Sequence, residues 1–164
     1  MGERRQKQSD LQDYRGDTNL KGKRNMIITG HKKRLQNSGD VAEIMRTILS
    51  KESEFNQQKE HFWVLGTNVK NVIQYIELVS IGSLTSGIVH PRETFRFAIL
   101  KGVASIFIVH NHPGGDAEPS REDMLITERL VKAGDIIGIK LLDHIIIANG
   151  AEEHKSFRDD GLIT

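Results

Sequence analysis

A chain of 164 residues is long enough for one domain with a buried core, and its formal net charge of +1 conceals an uneven spread. Residues 1–37 hold ten Lys/Arg against four Asp/Glu, a net +6, whereas residues 38–164 hold thirteen against eighteen, a net −5. The chain has no cysteine, which excludes disulfides, thiolate metal sites and a cysteine nucleophile. No run approaches the ~18 apolar residues of a membrane span, and the N-terminus lacks an apolar signal core, so a soluble, cytoplasmic protein without membrane contact is expected.

Residues 1–37 are rich in Gln, Asn, Gly, Lys and Arg, with apolar clustering only at Met26-Ile27-Ile28. This composition leans towards disorder. Two readings stand for such a basic N-terminal segment: a flexible leader, or a contact for nucleic acid or another acidic surface. Asp40 and Glu43 form a candidate capping box, and Val41, Ile44, Met45, Ile48 and Leu49 follow helical spacing, which predicts a helix ending between Leu49 and Glu54. His61–Thr67 (HFWVLGT) and Val72–Ser80 read as a hairpin about a turn at 68–71. A loop at 82–87 and a short extended Ile88-Val89-His90 lead to Pro91, which suits the first position of a helix reaching about Lys101. Phe95, Ala98, Ile99 and Leu100 would bury one face of it, and Gly102 would end it.

Ala104–Val109 (ASIFIV) is a short apolar, β-branched run and reads as a buried strand. His110 and His112 stand at its end. Residues i and i+2 of extended chain share a face, so both imidazoles can point the same way. Pro113 and Gly114-Gly115 break the strand into a loop. A helix from Ser120 to Lys132 follows, with Ser120 as a candidate N-cap, Asp123 in the first turn, Met124, Leu125, Leu130 and Val131 on the apolar side, and Gly134 as its stop. Gly138–Ala148 is a β-branched strand, Asn149-Gly150 turns the chain, and a final strand and short helix close it. Alternating strands and helices imply an α/β sandwich with a mixed sheet.

Two imidazoles from a strand end and one carboxylate from a helix start make three ligands for a divalent metal. Three protein ligands with a fourth position left for water is the pattern of a catalytic zinc site. Taken singly, the histidine pair and the Ser-x-x-Asp cap are common features. Together they read H-x-H-P, with seven residues, Pro113 included, between His112 and Ser120, then S-x-x-D. That spacing resembles the JAMM motif of the JAB/MPN metalloprotease superfamily. VHPRETF (Val89–Phe95), VHNHPGGDAEPSRED (Val109–Asp123), LLDHIII (Leu141–Ile147) and SFRDDGLI (Ser156–Ile163) are similar to its RadC-like branch, a bacterial family named for DNA repair. The resemblance covers residues 38–164.

The resemblance implies a cytidine-deaminase-like three-layer α/β/α sandwich, one zinc ion per chain on His110, His112 and Asp123, and metal-dependent hydrolysis of a peptide or isopeptide bond in a protein substrate. It also implies a Glu acid/base from an earlier strand and a Ser supporting the tetrahedral intermediate. Ser120 takes the second role by motif position. Glu60, which immediately precedes HFWVLGT, takes the first; Glu52, Glu54, Glu77 and Glu93 are the alternatives. A DNA-repair-associated nuclease or nucleic-acid-binding module and a non-catalytic interaction domain are the competing readings. His144 reads as a satisfied core residue in preference to a hydrogen-bond donor behind the metal ligands, His90 as equally a cleft residue or not, and His31, His61 and His154 as surface. Asp116 and Glu118 read as solvated loop charges in preference to extra acids crowding the site, and Arg121 either steers an anionic substrate or faces water. The string His110-Asn111-His112 is not an HNH nuclease signature, because that name describes residues spread over a ββα-metal fold.

Overall fold

The computed structural model describes residues 27–29, 33–82 and 89–163. His31, most of the basic segment with its proposed nucleic-acid contact, Ile88 and most of the loop at 82–87 lie outside the described residues. In chain order the elements are β1 (Ile27–Thr29), α1 (Ser38–Leu49), α2 (Glu54–Gln57), β2 (His61–Thr67), β3 (Ile73–Ile81), α3 (Pro91–Lys101), β4 (Ser105–His112), α4 (Arg121–Ile137), β5 (Lys140–Ala148) and β6 (His154–Ser156). Among the described residues the strands form one six-stranded sheet in the order β1-β3-β2-β4-β5-β6. Only β4 and β5 run parallel, joined by the α4 crossover; the other pairs are antiparallel. The expected mixed α/β sheet is therefore present, and β4 lies inside it.

Two apolar clusters sandwich the sheet. Val41, Ile44, Met45 and Ile48 of α1 pack on Trp63, Leu65, Phe107, Val109, Ile145 and Ile147. Phe95 and Ala98 of α3, with Ile126 and Leu130 of α4, pack on Phe62, Val64, Ile106, Ile108 and Ile146 from the other side. Strand residues alternate between the two clusters, as the period of two demands. Among the described residues no helix is long and apolar enough to cross a membrane.

Several local expectations shift. The first helix starts two residues before Asp40: Asn37 is the N-cap, and Asp40 is the reciprocal partner of its capping box rather than the cap itself. Ile99, Leu100, Met124 and Leu125 are exposed, and the inward faces are Thr94, Phe95 and Ala98 on α3 and Ile126, Thr127 and Leu130 on α4. Helix α4 runs through Gly134 to Ile137 and ends on Gly138, whose φ of 79° is the left-handed cap conformation. Gly134 is a glycine of the helix interior, where a Cβ would lie 2.6 Å from the Ile139 carbonyl oxygen, so the position excludes a side chain. After β6 the chain forms turns rather than the expected short helix.

Candidate metal centre

Alternation along β4 sends Ile106, Ile108, His110 and His112 towards α4, and Phe107, Val109 and Asn111 towards the α1 side. The start of α4 supplies the third group. Ser120 caps the helix: its Oγ accepts the Asp123 N–H at 3.1 Å and donates to Asp123 Oδ2 at 2.6 Å, and its own N–H donates to the same oxygen at 2.7 Å. This box holds the carboxylate against the strand. Asp123 Oδ1 lies 3.1 Å from His110 Nε2, Asp123 Oδ2 lies 3.4 Å from His112 Nε2, and the two Nε2 atoms are 2.9 Å apart.

The protons say what this triangle is suited to hold. His112 Nδ1 is 2.7 Å from the Asp116 carbonyl, which can only accept, so Nδ1 carries the hydrogen. A neutral His112 then turns a bare Nε2 lone pair towards His110 Nε2 and a carboxylate. Electron-rich atoms this close, on side chains as buried as His110 and Asp123, call for a positive charge among them, either a proton or a metal ion. The two Nε2 atoms are 2.9 Å apart and each has a different Asp123 oxygen near it, Oδ1 at 3.1 Å and Oδ2 at 3.4 Å, spacings close to the roughly 3.3 Å donor–donor distance of a tetrahedral site whose bonds are about 2.0 Å. Two imidazoles and a carboxylate are a zinc-compatible donor set. His110, His112 and Asp123 are the residues that would hold it.

The electrostatics agree with that polarity. Burial would raise the Asp123 carboxyl, but the His110 and His112 imidazoles, when they carry the positive charge this site calls for, and the Ser120 hydroxyl hold it far below the usual carboxylate range. The His112 pKa is raised, first by its contact with Asp123; burial opposes this, and the Asp116 carbonyl and Glu60 reinforce it.

His110 is fully buried, but His112 is partly open and faces a cleft of about 440 Å³ lined by Glu60, Gly114, Asp116, Ser120, Glu122 and Asp123. Glu60 arrives there by register. Phe62 pairs with His110 across the antiparallel β2–β4 ladder, so two residues earlier the chain passes His112 on the same face. Asn111, pointing the opposite way, holds that entry in place. Its Oδ1 accepts the His61 N–H at 2.7 Å, and its Nδ2 donates to Lys59 O at 3.1 Å and to Asn149 Oδ1 at 3.0 Å. Asn149 Nδ2 in turn donates to Gln57 O at 2.6 Å. At the other lip, Gly115 turns the loop with a φ of 82°, a conformation that suits glycine.

The model of the RadC-like JAB domain matches residues 35–162. The chain belongs to the RadC-like JAB domain family. Among curated relatives it is similar to the UPF0758 protein TTE0897 of Caldanaerobacter subterraneus subsp. tengcongensis, 61% identical over 92 residues, which is 56% of this chain and 40% of the relative. A UPF0758 protein of Methanosarcina acetivorans is 51% identical over 107 residues, 65% of this chain and 46% of its own. One of Chlorobaculum parvum is 44% identical over 131 residues, 80% of this chain and 56% of its own. The chain thus spans about half the length of the curated relatives it matches.

Within this RadC-like domain the four motif residues His110, His112, Ser120 and Asp123 come together, and Glu60 joins them at the cleft. None of the alternative glutamates lines that cleft. Glu77 is buried on β3 with Arg96 at 3.7 Å, and Glu93 also pairs with Arg96, at 3.1 Å. His90 caps α3, its Nδ1 accepting the Arg92 N–H, and does not line the cleft. Glu118 pairs with Lys155, and Arg121 is exposed outside the cleft. His154 is half-buried against Ser38. His61, expected at the surface, is fully buried: it shares the α1-side face with Trp63 and stacks on it at 5.1 Å, and its Nδ1 donates to Lys59 O. Glu122 and Thr127 carry no signal in the sequence, and Asn111 and Asn149 stand out there only as part of the His110-Asn111-His112 string and of a turn. His144, expected as a core residue, is buried as expected, but its Nε2 lies 2.8 Å from His110 Nδ1.

Two of the RadC-like words interlock behind the site. Asp143 accepts the Ser156 hydroxyl at 2.6 Å and the Arg158 N–H at 3.0 Å, and this clip lays Phe157 on the His144 ring at 4.5 Å. Burial pushes the Asp143 carboxyl up, against those two donors. Burial also pushes His144 well below the ordinary histidine value, so the ring stays neutral.

Proposed function

We propose that this chain is a zinc-dependent hydrolase of the JAMM type that cleaves a peptide or isopeptide bond in a protein substrate, with one zinc ion per chain on His110, His112 and Asp123. The observation that carries the reading is the convergence of two imidazole Nε2 atoms and a carboxylate beside a cleft that holds a separate glutamate. Zinc bound there would supply Lewis acidity and lower the pKa of a water to about 7. The protein's own groups do the rest. Glu60, beside His112, takes the proton of the attacking water and returns it to the departing amine, the general acid–base role that a carboxylate at a cleft wall can serve. Ser120 donates to the developing oxyanion. In the structure its proton goes to Asp123 Oδ2, so serving the oxyanion requires the hydroxyl to rotate away from that carboxylate.

The test pairs metal analysis with hydrolysis of an unbiased peptide library. Wild-type protein should carry about one zinc per chain, His112→Ala should lose it, and phenanthroline should abolish cleavage. Glu60→Gln should keep its zinc while turnover falls by about 10²- to 10⁴-fold, the usual contribution of a general acid–base group. Chelator-resistant cleavage, or full activity in Glu60→Gln, would overturn the assignment.

A further inference from the structure

We infer that His144 is a positioning residue for His110: a relay of hydrogen bonds through Thr127 to the Asp123 main-chain carbonyl sets the His110 tautomer and leaves its Nε2 lone pair free for a cation. The inference rests on the metal-centre reading above and adds residues from β5 and the second turn of α4 to it.

Each link follows from the one before. Thr127 Oγ lies 2.6 Å from the Asp123 carbonyl oxygen and 2.5 Å from His144 Nδ1. A carbonyl can only accept, so the single hydroxyl proton goes to Asp123. The Thr127 lone pairs then face His144, and Nδ1 of that ring must carry the hydrogen. His144 is a neutral ring packed between Phe157 and the edge of Phe62, so its Nε2 is bare. That nitrogen sits 2.8 Å from His110 Nδ1, which must therefore donate to it. The proton of neutral His110 is thus on Nδ1, and its Nε2 points unprotonated at His112 and Asp123. Reversing the His144 tautomer would set its Nδ1 lone pair against the Thr127 oxygen and drive the His110 proton onto Nε2, the ligand atom.

Ligating histidines usually pass their second N–H to a carboxylate, a carbonyl or water. Here another imidazole stands in between, and the relay ends on the residue whose side chain is the third ligand. Asp123 therefore sets the geometry from both ends: its carboxylate faces the Nε2 atoms, and its main-chain carbonyl orders the protons behind them. The Asp143–Ser156–Arg158 clip, by laying Phe157 on His144, holds the intervening ring in place.

Long-range proton–nitrogen spectra of the metal-free, full-length protein at mildly alkaline pH test the tautomers directly. Both His110 and His144 should be protonated on Nδ1 and bare on Nε2; the opposite tautomer at either ring would overturn the inference. Zinc affinity, read by competition with a chromogenic chelator, tests the consequence. Thr127→Val keeps the volume and removes the hydroxyl, and should weaken zinc binding by about 10- to 100-fold, the usual cost of losing a partner behind a ligand. Thr127→Ser should restore it, which a purely space-filling role would not require. Wild-type affinity in Thr127→Val, or no recovery in Thr127→Ser, would also overturn the inference. Should Thr127→Val fail to fold, the tautomer measurement decides. A wild-type chain that takes up no zinc defeats the metal-centre reading instead, and the metal-free spectra still judge the relay.

Discussion

Replacing Asn111 with alanine should damage both stability and turnover while sparing the metal ligands. The side chain is fully buried and makes three hydrogen bonds, to the His61 N–H, the Lys59 carbonyl and Asn149 Oδ1. A typical internal hydrogen bond contributes about 1 kcal/mol net, and a buried donor left without a partner costs about 1–3 kcal/mol. The His61 N–H is the donor so stranded; Lys59 O and Asn149 Oδ1 are nearer the surface, where water can take over. The expected loss is therefore about 2–4 kcal/mol. In urea, with a slope of about 1–3 kcal/mol per molar for a domain of this size, the midpoint should fall by roughly 1–2 M. Zinc stoichiometry should persist, because His110 and His112 point to the opposite face of β4. Turnover should drop, because Lys59 and His61 flank Glu60 and lose their tether. A midpoint shift equivalent to less than about 1 kcal/mol would refute the burial argument. A destabilised variant with normal turnover would refute the positioning of Glu60 by Asn111.

Gly134→Ala sets two effects against each other: helix propensity favours alanine by about 1 kcal/mol, whereas overpacking costs about 1–3 kcal/mol. The new Cβ would meet the Ile139 carbonyl oxygen at 2.6 Å and the Phe95 ring at 3.2 Å, and a backbone atom cannot easily yield, so a lower melting temperature is expected and a raised one would refute the contact. Metal-free protein should show a stability maximum near pH 6.5. The raised pKa of His112 gives a contribution that is whole below the unfolded value of 6.5 and drains as pH rises through the folded one. His144, lowered by burial, makes the unfolded chain bind a proton that the fold refuses, so stability also falls as pH drops below 6.5. Each limb is bounded at about 1.4 kcal/mol per pH unit, and urea midpoints that change monotonically through this range would contradict the assignment.

The candidate metal site is legible because His110, His112 and Asp123 lie close in sequence and obey local rules. A period of two aligns His110 with His112, and a helix cap brings Asp123 back over them. Glu60 needed the family resemblance, because only the β2–β4 register places it beside His112. The relay is legible only in part: the sequence allows His144 a donor role behind the ligands, but nothing in it names Thr127 or ties the ring to His110. His144 sits within a run of Leu and Ile that looks like pure core, and its partners are 17 and 34 residues away. The cap position is ambiguous for a local reason: Asn37 and Asp40 are both good caps, and only their reciprocal bonds show which is which. His61 reads as surface, yet its neighbour two residues on is a buried Trp, and parity carries both inward.

The residues of the H-N-H string explain why the strand bearing them must not slip. His110 and His112 serve the face towards α4, and Asn111 serves the face that braces the entry to β2. A shift of one residue would turn the amide towards Asp123 and one imidazole towards Lys59, removing the ligands and the Glu60 tether together. Pairing on both sides opposes that shift. β4 is held antiparallel to β2 and parallel to β5, with Phe62 and Ile146 both registered on His110. A central strand, rather than an edge or a loop, is thus the place in this fold where two functions on opposite faces can share three consecutive residues.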